Sequence, residues 1–339
     1  MHILILGGSF DPIHKGHIQI ANEALKHHLG DEVWFMPTFI TPLKERELTP
    51  FQHRVHMIKM AIKPYHKMKC CVLEANRKGC SYTIDTVKQL QKSYPKDTFS
   101  WLIGSDQARQ LSKWKKIDEL YQLIHFYVYP RNKIEFESNQ NLIQLKMKEI
   151  NISSSQVRLG DLSVLPHSVR RYIGNNYLYF NTMVESSMSE KRYLHSVSVA
   201  KLCVELAHAH HVDVKKAYAA GILHDVCKEW PKAKSERFMK CWAPHKMDTP
   251  IAIWHGDLAY HYVKRFYGVE DQEILYAIAH HVIGSTKQKL AMILFIADKL
   301  DPSRGYDSSA SIALTKRNLR AGYDEVLAQQ HVYLRKEGK

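Results

Sequence analysis

Two histidines separated by a lysine and a glycine close the opening segment of this chain, GGSFDPIHKGH. His14 and His17 follow a glycine-rich turn and lie at the predicted start of a helix. A glycine turn lets the backbone approach a phosphate, and a helix N-terminus presents free N–H groups to it. Two imidazoles placed there can donate hydrogen bonds to one phosphoryl group, while Gly16 keeps the space between them open. The pattern predicts chemistry on a phosphate.

A serine-rich segment at residues 152–158, ISSSQVR, predicts a second part of the same site. Ser153 and Ser154 can cap a helix and donate to oxyanions, and Arg158 can clamp phosphate oxygens with two hydrogen bonds. Taken alone, the segment is typical of an ordinary capped helix. It follows the last predicted strand, however, whereas the paired histidines follow the first. The common glycine motifs G-x-G-x-x-G and G-K-[ST] do not occur.

The second half of the chain carries widely spaced histidines and aspartates with the chemistry of metal ligands. The candidates are His195, His224, Asp225, His255, His281 and Asp298. Imidazoles and carboxylates suit Fe, Mn, Co, Zn or Ni, and the His-Asp doublet can place a carboxylate between two metals. His281, unlike His280, shares an apolar face at helical spacing. Asp298 also lies on an apolar face, where a carboxylate is costly unless it is paired or metal-bound.

The elements that must position these residues change in type along the chain. Up to about residue 180, helical patterns alternate with the apolar runs HILIL, EVWFMP, KCCVLEA, TFSWLIG and FYVYP. This alternation predicts an α/β doubly wound parallel sheet. The segment NTMVESSMSE predicts a linker or the start of a helix, and only helical patterns follow, which predicts an all-α domain. We therefore expect two domains, at residues 1–182 and 186–339.

Charge and composition restrict the expected partners. The 339 residues include 21 histidines and carry a formal charge of +14. Because the basic excess is spread over both halves, it favours small polyanionic substrates over nucleic acid. No apolar run approaches a membrane span, the N-terminus lacks the features of a signal peptide, and the six cysteines form no C-x-x-C pair. We expect a cytoplasmic protein without membrane or nucleic-acid partners; its oligomeric state is left open.

The first half resembles bacterial nicotinate mononucleotide adenylyltransferases across residues 1–180. The resemblance rests on GGSFDPIHKGH, GDEVWFMPT, SYTIDT, IGSD, ISSSQVR and VLPHSVRRYI, together with Glu74, Arg77 and Gly79. It implies a Rossmann-like nucleotidyltransferase fold that transfers AMP from ATP to nicotinate mononucleotide, giving deamido-NAD and pyrophosphate. The acceptor phosphate is already a nucleophile, so catalysis would consist of positioning and charge neutralisation.

The same resemblance implies roles for individual residues. His14, His17 and Arg158 would be catalytic, holding the ATP phosphates and stabilising charge at the α-phosphorus, with Mg²⁺ accompanying ATP. The residues that would bind ATP or the acceptor are Gly8, Ser9, Phe10, Lys44, Tyr82, Thr83, Gly104, Asp106, Trp114, Ser153 and Ser154. Trp114 would stack on the nicotinate ring. Leu43 is a departure, since the family often has histidine there.

The second half resembles the HD phosphohydrolase superfamily, and most closely its bacterial symmetrical diadenosine tetraphosphate hydrolases. The resemblance rests on RYLHSVSVAKL, GILHDVCKEW, WHGDLA, AIAHHVIG and IADKLDPSRGYD. It implies a bimetal centre of iron, or of Mn or Co, held by the six candidate ligands, that activates water to split the substrate into two ADP. Asp225 would also be catalytic, Lys228 would bind phosphate, and Arg304 is a further candidate. Val282 stands where the family often has threonine.

The leading interpretation is a bifunctional enzyme, with alternatives that keep both folds. The first half would instead prefer nicotinamide mononucleotide, or the second would act on another nucleotide. A different class is a regulatory module, in which the helical half binds metal or nucleotide without turnover. The intact set of metal ligands argues against a purely regulatory role for the helical half.

Overall fold

The computed structural model describes residues 1–39, 47–76, 82–131 and 133–336. The chain divides into two compact units. The first consists of Met1–Val157 and Ser163–Val169, and the second of Arg158–Leu162 and Arg170–Lys339. The predicted domain limits, 1–182 and 186–339, stay a prediction.

The first unit is built on a six-stranded parallel sheet with the strand order β3-β2-β1-β4-β5-β6. The strands are β1 (His2–Gly8), β2 (Glu32–Pro37), β3 (Met68–Cys70), β4 (Thr98–Gly104), β5 (His125–Tyr129) and β6 (Leu142–Gln144). β1 is a continuous apolar run because it is covered on both faces: Ile3 and Leu4, which lie on opposite faces, are both fully buried. The predicted doubly wound α/β fold is confirmed.

The strand order reverses at β1, and this reversal positions the phosphate loop. β2 and β3 lie on one side of β1, whereas β4, β5 and β6 lie on the other. Such a switch leaves a crevice outside the carboxyl ends of the two central strands, where open α/β sheets bind ligands. Residues 9–17 leave the end of β1, and Ser105 and Asp106 leave the end of β4. The fold therefore brings both predicted nucleotide-contacting segments to one edge of the sheet.

Seven helices occur in the described residues up to 175. They are α1 (Lys15–Lys26), α2 (Phe51–Ile62), α3 (Thr83–Ser93), α4 (Ser105–Ala108), α5 (Ile117–Leu123), α6 (Ser154–Arg158) and α7 (His167–Asn175). Two details differ from the sequence prediction. The strand predicted in KCCVLEA is reduced to β3, followed by a short 3-10 helix at Leu73–Asn76. β6 was not predicted because it has only three residues, of which one is buried.

Beyond residue 175, the regular elements in the described part of the second unit are helices, with no strand, as predicted. Its helices are α8 (Phe180–Glu185), α9 (Glu190–Ala209), α10 (Val214–Leu223), α11 (Lys232–Trp242), α12 (Trp254–Tyr262), α13 (Gln272–His280), α14 (Lys289–Leu300), α15 (Ser309–Arg317) and α16 (Leu319–Lys336). α8 occupies part of the expected linker because Phe180, Met183 and Val184 bury an apolar stripe at helical spacing. Ser189 then caps α9, accepting from the backbone N–H of Arg192.

A glycine allows α9 and α10 to pack closely. A Cβ on Gly221 would lie 2.5 Å from the Cα of Ala200, so any side chain there would force the two helices apart. α9 carries His195, and α10 ends at His224. The close packing therefore brings the first two predicted metal ligands together.

Candidate active sites

Phe10 and Arg54 shape the loop that follows β1. Phe10 is buried with a positive φ of 45°, and its ring meets His17 edge-on at 4.9 Å. Arg54 is also buried, and its Nη1 donates to the carbonyl oxygens of Ser9 and Thr38. Its Nε donates to the carbonyl of Thr49. Arg54 thus fixes the predicted nucleotide loop to two neighbouring loops, a role that sequence reasoning missed.

His14 and His17 meet at the start of α1, as their spacing predicts. Their rings stack with centroids 3.7 Å apart, and the backbone N–H of His14 donates to Nδ1 of His17 at 3.2 Å. Because Nδ1 of a neutral His17 accepts, its proton is on Nε2, where it can be donated. A Cβ on Gly16 would lie 3.0 Å from His14 Nδ1, so glycine does keep this space open.

Burial keeps the His14 imidazole neutral. Loss of solvent, together with the charge of Arg131, lowers the pKa of His14 from 6.5 to about 3. Its Nδ1 is buried and has no hydrogen-bond partner among the described residues. An unpaired buried nitrogen is costly, which is typical of an atom that meets a ligand.

The buried His14 makes the stability of the protein sensitive to acid. Below pH 6.5 an unfolded chain protonates this imidazole, whereas the folded chain does not until about pH 3. Protonation therefore favours unfolding, and we expect His14 to remove about 2 kcal/mol of unfolding free energy between pH 7 and pH 5. Urea titrations of wild type and His14→Gln at both pH values measure this contribution. An equal acid-induced loss in the two proteins would contradict it.

The serine-rich segment forms the capped helix α6. The backbone N–H of Gln156 donates to Ser153 Oγ, and the Gln156 side chain accepts from the Ser153 N–H at 2.7 Å. Ser154 Oγ donates to the carbonyl of Pro12 at 2.8 Å, so this hydroxyl holds the segment against the glycine-turn loop. Arg158 ends α6 and is partly exposed. Its predicted contact with phosphate stays a prediction.

Gly104 and Asp106 form a tight corner at the end of β4. A Cβ on Gly104 would lie 2.4 Å from Asp106 Oδ1, so a larger residue there would require this carboxylate to move. That oxygen is buried without a hydrogen-bond partner in the described chain, whereas Oδ2 lies 3.6 Å from Arg131 Nη1. A buried carboxylate oxygen suits a donor on a ligand, such as a hydroxyl or amino group.

The predicted nicotinate contacts are described in part. Tyr82 and Thr83 lie at the start of α3, and Lys115 Nζ lies 4.4 Å from the centre of the Tyr82 ring. Trp114 is half-buried and packs its ring edge-on against Phe126 of the sheet core. Four residues named from the sequence lie outside the described residues; they are Leu43, Lys44, Arg77 and Gly79.

Five elements of the second unit bring the six predicted metal ligands together. His195 lies in α9, His224 and Asp225 at the end of α10, His255 in the first turn of α12, His281 at the end of α13, and Asp298 in the last turn of α14. All six are buried. Apolar helix faces therefore carry these polar groups into one core, which requires pairing or a bound ion.

Two groups within this set have the geometry of metal sites. One contains His195, His224 and Asp298, and the other His224, Asp225 and His281; in each, the potential ligand atoms lie within 4.8 Å of one another. His224 Nε2 lies 3.6 Å from Asp225 Oδ2 and 3.7 Å from Asp298 Oδ1.

Three imidazole nitrogens in these groups are left for a ligand. Nε2 of His195, His224 and His281 is buried without a hydrogen bond among the described residues. Such nitrogens facing carboxylates fit a divalent transition metal, since neutral imidazole and carboxylate are its usual ligands.

The opposite nitrogens explain why Nε2 faces the site. Nδ1 of His224, His255 and His281 pairs with the backbone carbonyl three residues earlier, at 2.7, 3.0 and 2.6 Å. A carbonyl only accepts, so each Nδ1 carries the proton and each Nε2 offers a lone pair. Because each carbonyl is only three residues before its histidine, this pairing is local in the sequence.

His195 is oriented by a carboxylate that sequence reasoning missed. Its Nδ1 lies 2.6 Å from Oδ2 of Asp301, which is fully buried and also accepts from the backbone N–H of Ser303. Asp301 is three residues beyond Asp298 but 106 residues from His195 in sequence. Only the packing of α9 against the end of α14 reveals the pair.

Replacing Asp301 is expected to weaken metal binding. Partners of ligating histidines tune affinity, and their loss typically costs 10–100-fold. We expect Asp301→Asn to raise the dissociation constant for Mn²⁺ by about 10-fold or more, measured by calorimetry on metal-stripped protein. Asp307→Asn, an exposed aspartate in the same segment, is the matched control. Unchanged affinity in Asp301→Asn would refute the orienting role.

Charges around the site keep its carboxylates ionised. Burial alone would raise the pKa of Asp225, but the neighbouring imidazoles hold it well below its usual range. Arg192 Nη1 lies 2.8 Å from Asp225, while Lys299 and Arg304 pair with Asp298 at 2.7 and 2.9 Å. Lys228 Nζ lies 3.3 Å from His255 Nε2. This concentration of cations suits a polyphosphate.

Comparison with known proteins decides the family. Residues 5–160 match the cytidylyltransferase-like family model, and residues 192–303 match the HD domain model. A protein of Mycoplasma genitalium named "Probable nicotinate-nucleotide adenylyltransferase/Ap4A hydrolase" is 32% identical over 337 residues, or 95% of each chain. This chain belongs to that two-domain family. The resemblance inferred from the motifs is confirmed for both halves.

Two further comparisons cover one half of the chain. The nicotinate-nucleotide adenylyltransferase of Bacillus subtilis is 40% identical over 182 residues, 52% of this chain and 96% of that protein. A solved structure, Plasmodium falciparum nicotinic acid mononucleotide adenylyltransferase complexed with NaAD, is 22% identical with a TM-score of 0.46, covering 52% of this chain and 97% of that one.

In the second half, the HD match and the His/Asp groups agree in indicating a divalent metal. Among the described helices, none is long and apolar enough to cross a membrane.

Proposed function

We propose that this chain is a bifunctional enzyme. Its first unit transfers AMP from ATP to nicotinate mononucleotide, giving deamido-NAD and pyrophosphate. Its second unit hydrolyses diadenosine tetraphosphate symmetrically into two ADP. One observation supports each part: the stacked pair of His14 and His17 at the crevice of the sheet, and the three buried imidazole nitrogens that face two carboxylates.

In the first reaction, the chain positions groups and neutralises charge. An oxygen of the acceptor phosphate attacks the α-phosphorus of ATP, and the bond to the pyrophosphate oxygen breaks. His14 and His17 would donate to the phosphates as charge develops, and Arg158 would hold oxygens of the leaving group. Mg²⁺ would be bound mainly by phosphate oxygens and water.

In the second reaction, the predicted ligands would hold one or two divalent ions; iron is proposed, with Mn and Co as alternatives. The metal would polarise a phosphoryl oxygen and activate water. His195, His224, His281, Asp225 and Asp298 supply the ligand atoms, and His255 is the sixth candidate. Lys228 and Arg304 would neutralise the phosphates.

Substrate panels test both parts. Nicotinate and nicotinamide mononucleotides are compared as acceptors with ATP and Mg²⁺, and deamido-NAD is expected at the higher kcat/KM. Diadenosine tetraphosphate is supplied with Fe²⁺, Mn²⁺ or Co²⁺ in oxygen-18 water. We expect two ADP, one of them labelled; AMP plus ATP, or no product, would overturn the symmetrical reaction.

A regulatory role is the second candidate for the helical unit. One observation favours it. Asp225 and Asp298 already pair with Arg192, Lys299 and Arg304, and a bound metal would have to displace these cations from the carboxylates. Metal analysis after anaerobic purification separates the two. Well under one transition metal per chain, without turnover, would favour regulation.

A further inference from the structure

A cavity of about 620 Å³ in the second unit joins the metal ligands to the C-terminal helix α16. Asp225, His255 and Asp298 line it on one side, together with Lys228 and Arg304. Its other lining residues include Tyr306, Val326, Gln329, Gln330 and Tyr333. The volume is that of a typical small-ligand site. The cationic side suits the phosphates of a dinucleotide, so the side formed by α16 is available for another part of the ligand.

Gln330, which lines this wall, carries an unused hydrogen-bond acceptor. Its Nε2 donates to the backbone carbonyl of Val282 at 3.0 Å, directly after the ligand His281. A carbonyl can only accept, so this bond fixes which end of the amide is nitrogen. Its Oε1 is buried and has no hydrogen-bond partner in the described chain. A buried orphan acceptor beside a cavity suits a donor on the ligand.

Two tyrosines at the same cavity are exposed. Tyr306 and Tyr333 have 49% and 58% of their surfaces accessible. Exposed aromatic rings beside a binding site can stack on the faces of bases, and such stacking tolerates any base. Stacking alone would therefore not select a base, whereas a fixed acceptor would.

We propose that Gln330 is a specificity-determining residue that selects adenine over guanine in the dinucleotide substrate. Adenine carries an exocyclic amino donor where guanine carries a carbonyl acceptor. Gln330 Oε1 accepts from that amino group and opposes the guanine oxygen. Tyr306 and Tyr333 stack on the base, and the cations hold the phosphates. This inference rests on the proposed hydrolysis for its substrate.

The test compares diadenosine and diguanosine tetraphosphates on the metal-loaded full chain. Wild type is expected to favour adenine by about 10-fold in kcat/KM. Gln330→Met keeps the length of the side chain and removes the acceptor, so this preference is expected to fall to near unity through KM, with kcat retained. Gln272→Met is the matched control, because Gln272 is exposed, lies outside the lining of the cavity, and uses its amide to donate to the backbone carbonyl of Glu270. Tyr333→Leu is expected to raise KM for both substrates equally.

Binding of the product separates failure of this inference from failure of the proposed reaction. ADP and GDP are titrated into wild type and Gln330→Met by calorimetry. The change in the ratio of ADP to GDP affinity between the two proteins measures the contribution of Gln330 to base preference. A chain that hydrolyses neither substrate contradicts the proposed function, yet loss of the ADP preference in Gln330→Met would still support the base contact. An unchanged preference in Gln330→Met, or an equal loss in Gln272→Met, would overturn it.

Discussion

Replacing His17 by alanine is expected to lower kcat for adenylyl transfer by about 10²–10³-fold, with a much smaller change in KM. The backbone N–H of His14 donates to Nδ1 of His17, so a neutral His17 carries its proton on Nε2, the nitrogen that would donate to a phosphoryl oxygen. This hydrogen bond is strongest in the transition state, when charge develops at the α-phosphorus. Its loss therefore lowers kcat more than it changes KM. Initial rates with ATP and nicotinate mononucleotide measure the effect.

A surface histidine at the opposite end of α1 provides the control. His27→Ala removes an exposed imidazole whose neighbour is Glu23, so transfer should be unchanged. Hydrolysis of diadenosine tetraphosphate should persist in both variants. A kcat for His17→Ala within about threefold of wild type would contradict the assigned role.

Replacing Asp225 by asparagine is expected to abolish hydrolysis and to reduce bound metal. Its two carboxylate oxygens lie 3.5 to 3.6 Å from Nε2 of His224, His255 and His281, so this one side chain faces three candidate ligands. The amide keeps the size of the side chain but loses its charge. Loss of a side chain that only orients a metal ligand typically lowers metal affinity or activity 10–100-fold. Loss of Asp225, itself a candidate ligand, is therefore expected to lower them by more than about 100-fold.

Metal content and hydrolysis are measured on the same sample of Asp225→Asn. Asp324→Asn, an exposed aspartate of the same unit that pairs with Arg320, is the control and should match wild type. Adenylyl transfer should remain at the wild-type rate in both. Wild-type metal content with full hydrolysis in Asp225→Asn would contradict the ligand assignment.

Local patterns predicted the elements that carry both sites. The apolar run before Gly7 required a buried strand, and the glycine turn with His14 and His17 required a helix start beside it. The spacing that placed His281 on an apolar face also held, since this side chain is fully buried. These predictions succeeded because each depends on neighbours within one or two helical turns.

The residues that escaped prediction depend on distant partners. Arg54 lies in a surface-type helix pattern, yet it is buried by loops that follow β1 and β2. Asp301 appears in the sequence as a turn residue, and Gln330 as an ordinary polar position of α16. Their partners, His195 and Val282, are 106 and 48 residues away. Such pairings follow from tertiary packing, which periodicity does not contain.

The central claim, that one chain carries two separate catalytic sites, is tested most directly by measuring both reactions on four proteins. These are wild type, His17→Ala, Asp225→Asn and the double variant, with deamido-NAD and ADP quantified from each. We predict that His17→Ala loses only deamido-NAD formation, Asp225→Asn loses only ADP formation, and the double variant loses both. A single substitution that removes both products from a folded protein would contradict the claim.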